Sequence, residues 1–341
     1  MEFFEYPLVF SNHKTEDPYP MKTIRWGILS TAHIAEQRMI PAIVKSASGE
    51  LGAVASRDLA KASRYAEANG IPKAYGSYEE LLADPTIDAI YCPLPTGMHY
   101  DWCMRALEAG KPMLCEKPIT IHRNEAEQVY AAFRKADLLI SEAYMYLYHP
   151  VNRKVRELVQ SGRVGELRSI ESTFNVSLPK TDIRFDRLLG GGALLDLGCY
   201  CVGISRFITG TEPVDVKSLS HIGSESQVDE TFVGCMKFPE NVLAVFSCSH
   251  TTHFECNYEI YGSNGRIRVA RAGMIPWPGE DFDIEVWSGD DFERITIPDT
   301  DHYALLAESF NQALLKGEKE VVSHQESLNN LAVLDRLRGI R

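Results

Sequence analysis

The sequence predicts an α/β protein with a doubly wound parallel sheet in its first half and a large, open, mostly antiparallel sheet in its second half. Over the first 150 residues, short apolar strand candidates alternate with capped helices, which is the pattern of parallel strands joined by helical crossovers. After Pro150, strand candidates of alternating polarity are separated by hairpin signals such as Gly262-Ser-Asn-Gly265. The 341 residues, 45% of them hydrophobic, are enough for two domains.

The first half contains five strand candidates and three helices with recognisable ends. Asp58 is placed to cap a helix that stops at Gly70, and Ser77 and Glu80 form a capping box for a short helix. A third helix covers residues 99–109 and stops at the glycine that follows. The strand candidates are residues 23–30, 50–56, 89–92, 112–115 and 138–143. A parallel sheet of this kind binds ligands at the carboxyl ends of its strands.

The second half is framed by helices and filled with strands. The predicted helices cover residues 151–161, 302–316 and 325–338. The strand candidates between them are residues 168–176, 214–221, 228–238, 241–250 and 257–270. The closing helices can also pack back on the first domain. The predicted domains are an N-terminal arm (1–21), a first domain (22–145) and a second, α+β domain (146–341).

Composition argues against nucleic acid and anionic membranes as partners. The chain has 35 Lys and Arg residues against 47 Asp and Glu, a formal net charge of −12 at pH 7, whereas both partners require a basic face for phosphate contact. No apolar run approaches the roughly 20 residues of a membrane helix, and no secretory signal is recognisable. The eight cysteines form no C-x-x-C pair. We therefore expect reduced thiols, no metal site, and a cytoplasmic protein with a small-molecule ligand.

The stretch WGILSTAHIA, residues 26–35, predicts a strand that turns into a helix, where a dinucleotide-binding fingerprint carries its glycines. The three positions hold Ser30, Ala32 and Ala35 instead. Small residues let the backbone approach a pyrophosphate at the helix N-terminus, and the hydroxyls of Ser30 and Thr31 can donate hydrogen bonds. Because the glycines are absent, the turn alone is equally typical of an ordinary strand-helix connection.

The residues after the second strand favour a nucleotide site and one particular cofactor. An acid that would bond the ribose hydroxyls of NAD is absent, and the sequence reads Ser56-Arg57-Asp58. A guanidinium and a hydroxyl at this place suit a 2′-phosphate, which indicates NADP(H). The alternative is that Arg57 is a solvated charge at a helix start and that Asp58 only caps the helix.

Two further strand ends carry candidate chemistry. The loop Cys92-Pro-Leu-Pro-Thr-Gly-Met-His99 follows one strand, and Glu116-Lys117-Pro118 follows the next. An ammonium group at such a strand end faces the ligand edge of the sheet, where it can donate a proton. The alternative is a surface Glu-Lys ion pair, which fits less well after a buried apolar strand.

A glycine run in the second half precedes a third candidate. Gly190, Gly191 and Gly192 lead into a helix on which Asp196 and Tyr200 are four residues apart and share one face. A carboxylate and a phenol on one face, after glycines that permit close approach, are typical of an active-site wall. The alternative is that Asp196 is a helix-start acid and Tyr200 a core aromatic.

Together these motifs resemble the Gfo/Idh/MocA oxidoreductases over about residues 22 to 341. The resemblance rests on the first-strand turn, the Glu-Lys-Pro motif, the glycine run with Asp-x-Gly-x-Tyr, and the antiparallel second half. Residues 71–81 and 191–202 resemble dimeric dihydrodiol dehydrogenases and NADP-dependent D-xylose dehydrogenases. Residues 182–185 and 257–265 resemble sugar 3-ketoreductases of deoxysugar pathways. The resemblance implies a Rossmann domain and hydride transfer between NADP(H) and a carbinol or carbonyl carbon of a cyclic sugar or vicinal diol.

The resemblance also implies roles for individual residues. Lys117 takes the place of the catalytic lysine, and Tyr200 lies where many relatives have histidine. We expect Tyr200 to be the general acid/base, Lys117 to stabilise its phenolate, and Asp196 to orient Lys117 or the substrate. The expected substrate contacts are Tyr146, His149, Arg184, Asp196 and Tyr200. The expected cofactor contacts are Ser30, Thr31, Ala32, His33, Ile34, Ser56, Arg57, Pro93, Leu94, Pro95, His99, Glu116 and Lys117.

The sequence leaves two alternative functions open and also predicts an assembly. One alternative is a non-catalytic scaffold that binds NADP, which the intact Lys117, Asp196 and Tyr200 disfavour. The other is a redox-assisted glycosidase of the same fold that retains NAD, which Arg57 disfavours. The strand at residues 242–248 is apolar on both faces, which is expected only where both faces are buried. We therefore predict a homodimer packed through the second-half sheets.

Overall fold

A computed structural model of the protein describes residues 22–271, 273–319 and 321–340. The predicted N-terminal arm, residues 1–21, lies outside the described residues. None of the helices in these ranges is long and apolar enough to cross a membrane.

The first half forms a six-stranded sheet in which every pair of neighbouring strands is parallel, in the order β3-β2-β1-β4-β5-β6. The predicted doubly wound sheet is therefore confirmed. The short strand β3 was not predicted, because three residues give too little pattern to recognise. The strands are β1 (Ile24–Leu29), β2 (Gly49–Ala55), β3 (Lys73–Tyr75), β4 (Ala89–Cys92), β5 (Met113–Cys115) and β6 (Ile140–Glu142).

Helices connect these strands, and the predicted caps Asp58 and Ser77 are confirmed, although Glu80 accepts from Gly76 N at 3.0 Å and so does not complete the predicted capping box. The Asp58 side chain accepts a hydrogen bond from Lys61 N at 3.1 Å, and Ser77 Oγ accepts one from Glu80 N at 3.2 Å. The helix expected to begin at His99 begins at Thr96. A π-helical turn, Ala35–Met39, precedes the first α-helix. The helices are α1 (Ile40–Lys45), α2 (Leu59–Asn69), α3 (Tyr78–Leu82), α4 (Thr96–Glu108) and α5 (Arg123–Lys135).

The second half forms an eight-stranded sheet in the order β14-β13-β12-β11-β7-β10-β9-β8. Only β7 and β10 pair in parallel among its described strands, so the predicted mostly antiparallel sheet is confirmed. The strands are β7 (Leu167–Ser177), β8 (Asp215–Ile222), β9 (Asp229–Lys237), β10 (Leu243–Ser249), β11 (Thr251–Gly262), β12 (Gly265–Val269), β13 (Phe282–Ser288) and β14 (Asp291–Ile297).

One face of the second sheet is covered and the other is open. Helices α6 (Pro150–Gln160) and α7 (Cys199–Thr209) lie on the covered face. Along β10, Ala244 and Phe246 are buried, whereas Leu243 and Val245 are 52% and 44% exposed. The alternation therefore places one apolar set of β10 in the core and leaves the other on the outer face.

The C-terminal helices connect the two halves of the molecule. Helix α8 (His302–Lys316) packs on α1 and β2, and α9 (His324–Leu337) packs on α5 and α7. The indole of Trp26, on the first strand, donates to Asn311 Oδ1 at 2.9 Å and packs on Phe310 with ring centroids 5.0 Å apart. These buried contacts hold α8 against the first sheet.

Two glycines bring a loop of the second half against α4. Gly97 N donates to Leu189 O at 2.9 Å. A Cβ on Gly97 would lie 2.6 Å from Leu188 O, and a Cβ on Gly190, whose φ is +76°, would lie 2.8 Å from Gly97 N. The close approach expected from the glycine run is thus a backbone contact between the two halves.

Candidate active site

The first turn has the backbone conformation of a glycine position although it carries serine. Ser30 has a φ of +105°, a left-handed value that favours glycine. Its Oγ is buried and has no hydrogen-bond partner among the described residues. Thr31, Ala32 and Ile34 are half-buried and His33 is exposed, so the turn presents accessible backbone and a free hydroxyl at the sheet edge.

The end of β2 leaves one guanidinium without a carboxylate partner. Ser56 is buried and its Oγ accepts a hydrogen bond from Asp58 N at 3.3 Å. Arg57 is exposed and makes no ion pair within the described part of the chain. Asp58 caps α2, as described above, so the capping interpretation of Asp58 holds while Arg57 remains available for an anionic ligand.

The loop after β4 is held by a histidine that was expected to touch the cofactor. His99 is 1% exposed, with Nδ1 2.9 Å from Pro118 O and Nε2 2.7 Å from Leu94 O. Because both ring nitrogens face backbone carbonyls, neither is free for a ligand, and the expected polar contact of His99 with the cofactor is wrong. His99 instead connects the loop of Pro93, Leu94 and Pro95 to the loop after Lys117.

Glu116 is turned into the protein. Its side chain is buried, and Oε1 accepts a hydrogen bond from the Tyr91 hydroxyl at 2.6 Å. Burial raises the pKa of Glu116 above its ordinary 4.5, although Lys117 opposes that shift. Cofactor contact by Glu116 stays a prediction.

Asp196 binds two cationic side chains across the boundary between the halves. Lys117 Nζ donates to the Asp196 backbone carbonyl at 2.7 Å and to Asp196 Oδ1 at 3.0 Å. Arg184 Nε donates to Asp196 Oδ2 at 2.6 Å. Asp196 lies in a π-helical turn, Leu194–Gly198, just before α7. The structure therefore brings together Lys117, Asp196 and Arg184 of the predicted site.

The ion pairs fix the charge of these groups. Burial alone would raise the pKa of Asp196, but Arg184 and Lys117 hold it well below the ordinary 3.8. Burial alone would lower the pKa of Lys117, but Asp196 holds it above the ordinary 10.5. At neutral pH the site thus contains a carboxylate and a protonated lysine.

Tyr200 lies beside Lys117, but its hydroxyl points elsewhere than expected. Lys117 Nζ is 4.9 Å from the centroid of the Tyr200 ring, a cation-π geometry. The hydroxyl donates to Met145 Sδ at 3.5 Å. Burial raises the pKa of Tyr200 well above the ordinary 10.0. The expectation that Lys117 directly stabilises the Tyr200 phenolate is therefore wrong for this arrangement, in which the ammonium faces the ring and the phenol stays protonated.

Two of the expected substrate contacts belong to the core. Tyr146 is 1% exposed and packs edge-on against Tyr200, with centroids 5.8 Å apart. His149 is 2% exposed, and its Nδ1 accepts a hydrogen bond from Val151 N at 3.2 Å, which caps α6. Burial lowers the pKa of His149 to about 4. Because both side chains are enclosed, direct substrate contact by Tyr146 and His149 is corrected to a supporting role.

Sequence reasoning missed three residues of this region. His250 Nε2 lies 3.1 Å from Asp196 Oδ2. Tyr303, on α8, is 5% exposed, and burial raises its pKa well above the ordinary 10.0, with Glu116 adding to the shift. Glu142 Oε1 accepts a hydrogen bond from Ile119 N, two residues after Lys117, at 2.8 Å. Only the tertiary fold brings these residues to the site, and no local motif marks them.

Two other features lie outside this chemistry. The ligand atoms of Cys92, His99 and Cys115 lie within 4.8 Å of one another, but a carbonyl oxygen lies within 2.9 Å of each His99 ring nitrogen, in the place that a bound metal would have to take. A cavity of about 940 Å³ is lined by residues of β11 to β14 and the loop before β13, and it contains none of the predicted site residues. We assign neither feature a part in the site.

Comparisons with known proteins agree on one family. Residues 24–144 match a family model described as an oxidoreductase family with an NAD-binding Rossmann fold, and residues 152–268 match the GFO/IDH/MocA C-terminal domain. The D-xylose 1-dehydrogenase (NADP(+)) 2 of Haloferax volcanii is 36% identical over 312 residues, which cover 91% of this chain and 95% of that protein. The trans-1,2-dihydrobenzene-1,2-diol dehydrogenase of Xenopus laevis is 32% identical, covering 87% and 91%.

A solved structure also matches over almost the whole chain. It is that of a 3-ketoreductase from Actinomadura kijaniata in complex with NADP and TDP-benzene. The TM-score is 0.90 at 32% sequence identity, and the match covers 93% of this chain and 98% of the other. The likeness therefore includes both sheets and their arrangement.

Replacing Ser30 by glycine is expected to stabilise the protein. Serine at a φ of +105° is strained, and its buried Oγ lacks a partner, so Ser30→Gly should raise the free energy of unfolding by about 1 kcal/mol in urea titration. The control is Ser63→Gly in the exposed part of α2, which should lower it by roughly 0.5–1 kcal/mol. Equal losses for both variants would contradict the inferred strain.

Proposed function

The chain belongs to the Gfo/Idh/MocA oxidoreductase family, and on that premise we propose that it transfers a hydride between NADP(H) and a carbinol or carbonyl carbon of a cyclic sugar or vicinal diol. The observation that carries the proposal is the Lys117–Asp196 pair, which joins the carboxyl edge of the parallel sheet to the second half at 3.0 Å. A proton donor at the ligand edge is what reduction of a carbonyl requires. The relatives support this activity, and neither the retained-NAD glycosidase nor the non-catalytic scaffold.

The residues at the strand ends fit NADP(H). The unpartnered buried Oγ of Ser30 and the accessible backbone of Thr31 and Ala32 suit the pyrophosphate at the start of a helix. The unpaired Arg57 suits the 2′-phosphate. The loop of Pro93 and Pro95, held by His99, would flank the nicotinamide. When bound, NADP(H) supplies or accepts the hydride.

Lys117 and Tyr200 both take part in proton transfer to the substrate. Lys117 is protonated because Asp196 raises its pKa, so its Nζ can donate a proton to the oxygen of a carbonyl substrate as that oxygen gains charge. Tyr200 is a neutral phenol whose present acceptor, the thioether of Met145, is weak. Tyr200 is 3% exposed, so its hydroxyl meets a substrate oxygen only by exchanging that sulfur for it, and in the exchanged position it would orient the substrate and share the proton.

In the oxidation of an alcohol the direction of the proton reverses, so Lys117 has to be in its neutral amine form to accept the proton of the alcohol. Asp196 stays a carboxylate in both directions because Arg184 and Lys117 keep its pKa low. Arg184, 40% exposed and held by Asp182 and Asp196, presents the rest of its guanidinium to the cleft as a substrate contact.

The activity is tested by a substrate screen. Aldoses, cyclic diols and keto-sugars are incubated with NADP+ or NADPH, and turnover is followed by the absorbance of the reduced nicotinamide. We expect turnover of at least one neutral sugar or diol, with NADP(H) preferred over NAD(H). Tightly retained NAD in the purified protein, together with no net turnover, would support the glycosidase instead.

The choice of cofactor is expected to depend on Arg57. Loss of a charge-assisted fork should weaken NADP(H) binding by roughly ten- to hundred-fold in Arg57→Ala, with little change for NAD(H), measured by quenching of protein fluorescence. Arg134→Ala, which removes an exposed arginine from α5, is the matched control. Equal losses for the two cofactors would contradict the assignment of Arg57.

Proton transfer is expected to depend on Lys117. Lys117→Met should lower kcat by roughly a hundred-fold or more while NADP(H) still binds, because one general acid/base contribution has that size. Tyr200→Phe should lower kcat similarly. A near-normal rate in Tyr200→Phe would show that the proton passes through Lys117 or water alone, and a near-normal rate in Lys117→Met would refute the lysine as donor.

We also propose that the protein is cytoplasmic, where the eight thiols stay reduced. We further propose a homodimer formed by the open face of the second sheet. The outer face carries exposed apolar side chains in neighbouring strands: Leu219, Val233, Leu243 and Val245. A shallow depression of about 150 Å³ is lined by Leu243 and Val245 together with residues of β8 and β9. Next to this apolar area, Glu171 and Glu259 lie near Arg266 and Arg268, so a second copy related by a two-fold axis offers both apolar and opposite-charge contacts.

Light scattering tests this assembly. The wild-type chain at micromolar concentration should have twice the mass of one chain, and Val245→Asp should shift it toward the monomer because a charge would be buried at the apolar centre. Val44→Asp, at an exposed apolar residue of α1, should stay dimeric. A monomeric wild-type protein would contradict the proposal.

A further inference from the structure

Asp196 has a third partner that lies deeper than the other two. His250 Nε2 is 3.1 Å from Asp196 Oδ2, the oxygen that also accepts from Arg184 Nε. The His250 side chain is fully buried, whereas those of Lys117 and Arg184 are 12% and 40% exposed. The contact of His250 with Asp196 is thus the most enclosed of the three.

The hydrogen-bonding requirements define the state of the His250 ring. Asp196 is a carboxylate and can only accept, so His250 Nε2 carries the proton. His250 Nδ1 is buried without a partner among the described residues. The hydrogen bond to Asp196 thus assigns an N–H to Nε2 of the ring.

The backbone of His250 is held by the second sheet. It directly follows β10, and its N–H donates to Glu230 O on β9 at 2.9 Å. Its ring packs edge-on against Phe185, with centroids 5.9 Å apart. Arg184, in contrast, lies on a short connecting segment, and Lys117 belongs to the first half. Of the three donors, only His250 anchors Asp196 to the strands of the second sheet.

We propose that His250 is a positioning residue for the reaction: its Nε2–H donates to Asp196 Oδ2 and fixes the carboxylate so that Oδ1 faces Lys117 Nζ. This inference rests on the proposed function of Lys117. A leucine could fill the same volume, but it could not donate, and an apolar side chain would not leave a buried nitrogen unpartnered. Because Nδ1 has no partner among the described residues, the hydrogen bond of Nε2 to Asp196 is the polar contact that a histidine supplies at this position.

Kinetics of two variants test the role. His250→Leu should lower kcat by roughly ten- to hundred-fold, since a displaced carboxylate misplaces the lysine, with less than a two-fold change in NADPH binding. His250→Gln, which can donate an N–H from a similar position, should recover much of the loss. His253→Leu, at an exposed histidine of β11, is the matched control. Equal kcat in His250→Leu and the wild type, or no recovery in a folded His250→Gln, would overturn the proposal.

A double variant distinguishes positioning of Asp196 by His250 from a general effect of His250 on stability. In an Asp196→Asn background, His250→Leu should lower kcat by less than two-fold, because the group through which it acts is already altered. A further loss equal to that in the wild-type background would overturn the proposal.

Nitrogen NMR of the histidine rings gives a readout that does not depend on turnover. In the wild type, His250 should carry a proton on Nε2, and its Nε2 signal should shift in Asp196→Asn. A ring protonated at Nδ1 alone, or a signal that Asp196→Asn does not shift, would overturn the proposal. If the wild type turned over no substrate, the proposed function would fail, while this measurement would still decide the His250 contact.

Discussion

The carboxylate of Asp196 is the interaction on which the site depends. It accepts hydrogen bonds from Lys117 at 3.0 Å, Arg184 at 2.6 Å and His250 at 3.1 Å, and these donors come from three separate parts of the chain. A single buried carboxylate would be costly without such partners. With them it stays ionised, and in turn it keeps Lys117 protonated at the edge of the parallel sheet.

This arrangement requires the two halves to be held in register. The turn that carries Asp196 belongs to the second half and Lys117 to the first, so a small shift between them would break the pair. Helix α9, which packs on both α5 and α7, and the backbone contact of Gly97 with Leu189 fix that relation from two directions. His99 and Glu142 fix the Lys117 loop itself through carbonyl and amide groups. These contacts together fix the position of the Lys117 ammonium group.

The sequence predicted both sheets and the family because those features have local patterns. Alternating polarity marked the long strands, and capping residues such as Asp58 and Ser77 marked helix starts. The Glu-Lys-Pro motif placed Lys117 at a strand end, and the four-residue spacing of Asp196 and Tyr200 placed both beside it. The relation of Lys117 to Tyr200, however, depends on the side chain of Met145, which accepts the hydroxyl, and no spacing rule could predict it.

Other site predictions failed where burial decided the outcome. An aromatic or histidine next to a motif is equally compatible with a pocket wall and with the core behind it. Tyr146 and His149 proved to be core residues, and His99 faces two carbonyls. His250 escaped notice for the opposite reason, since it is one polar residue in a polar run at the end of β10. Its importance arises only from the fold, which places it against Asp196.

The pH dependence of kcat in the reductive direction tests most directly whether Asp196 keeps Lys117 protonated. Because Asp196 raises the pKa of Lys117, the wild type should keep its rate on the basic side of neutrality. In Asp196→Asn, burial without the carboxylate should lower that pKa, so the rate should decline at a lower pH than in the wild type. A decline at the same pH in both proteins would contradict the account.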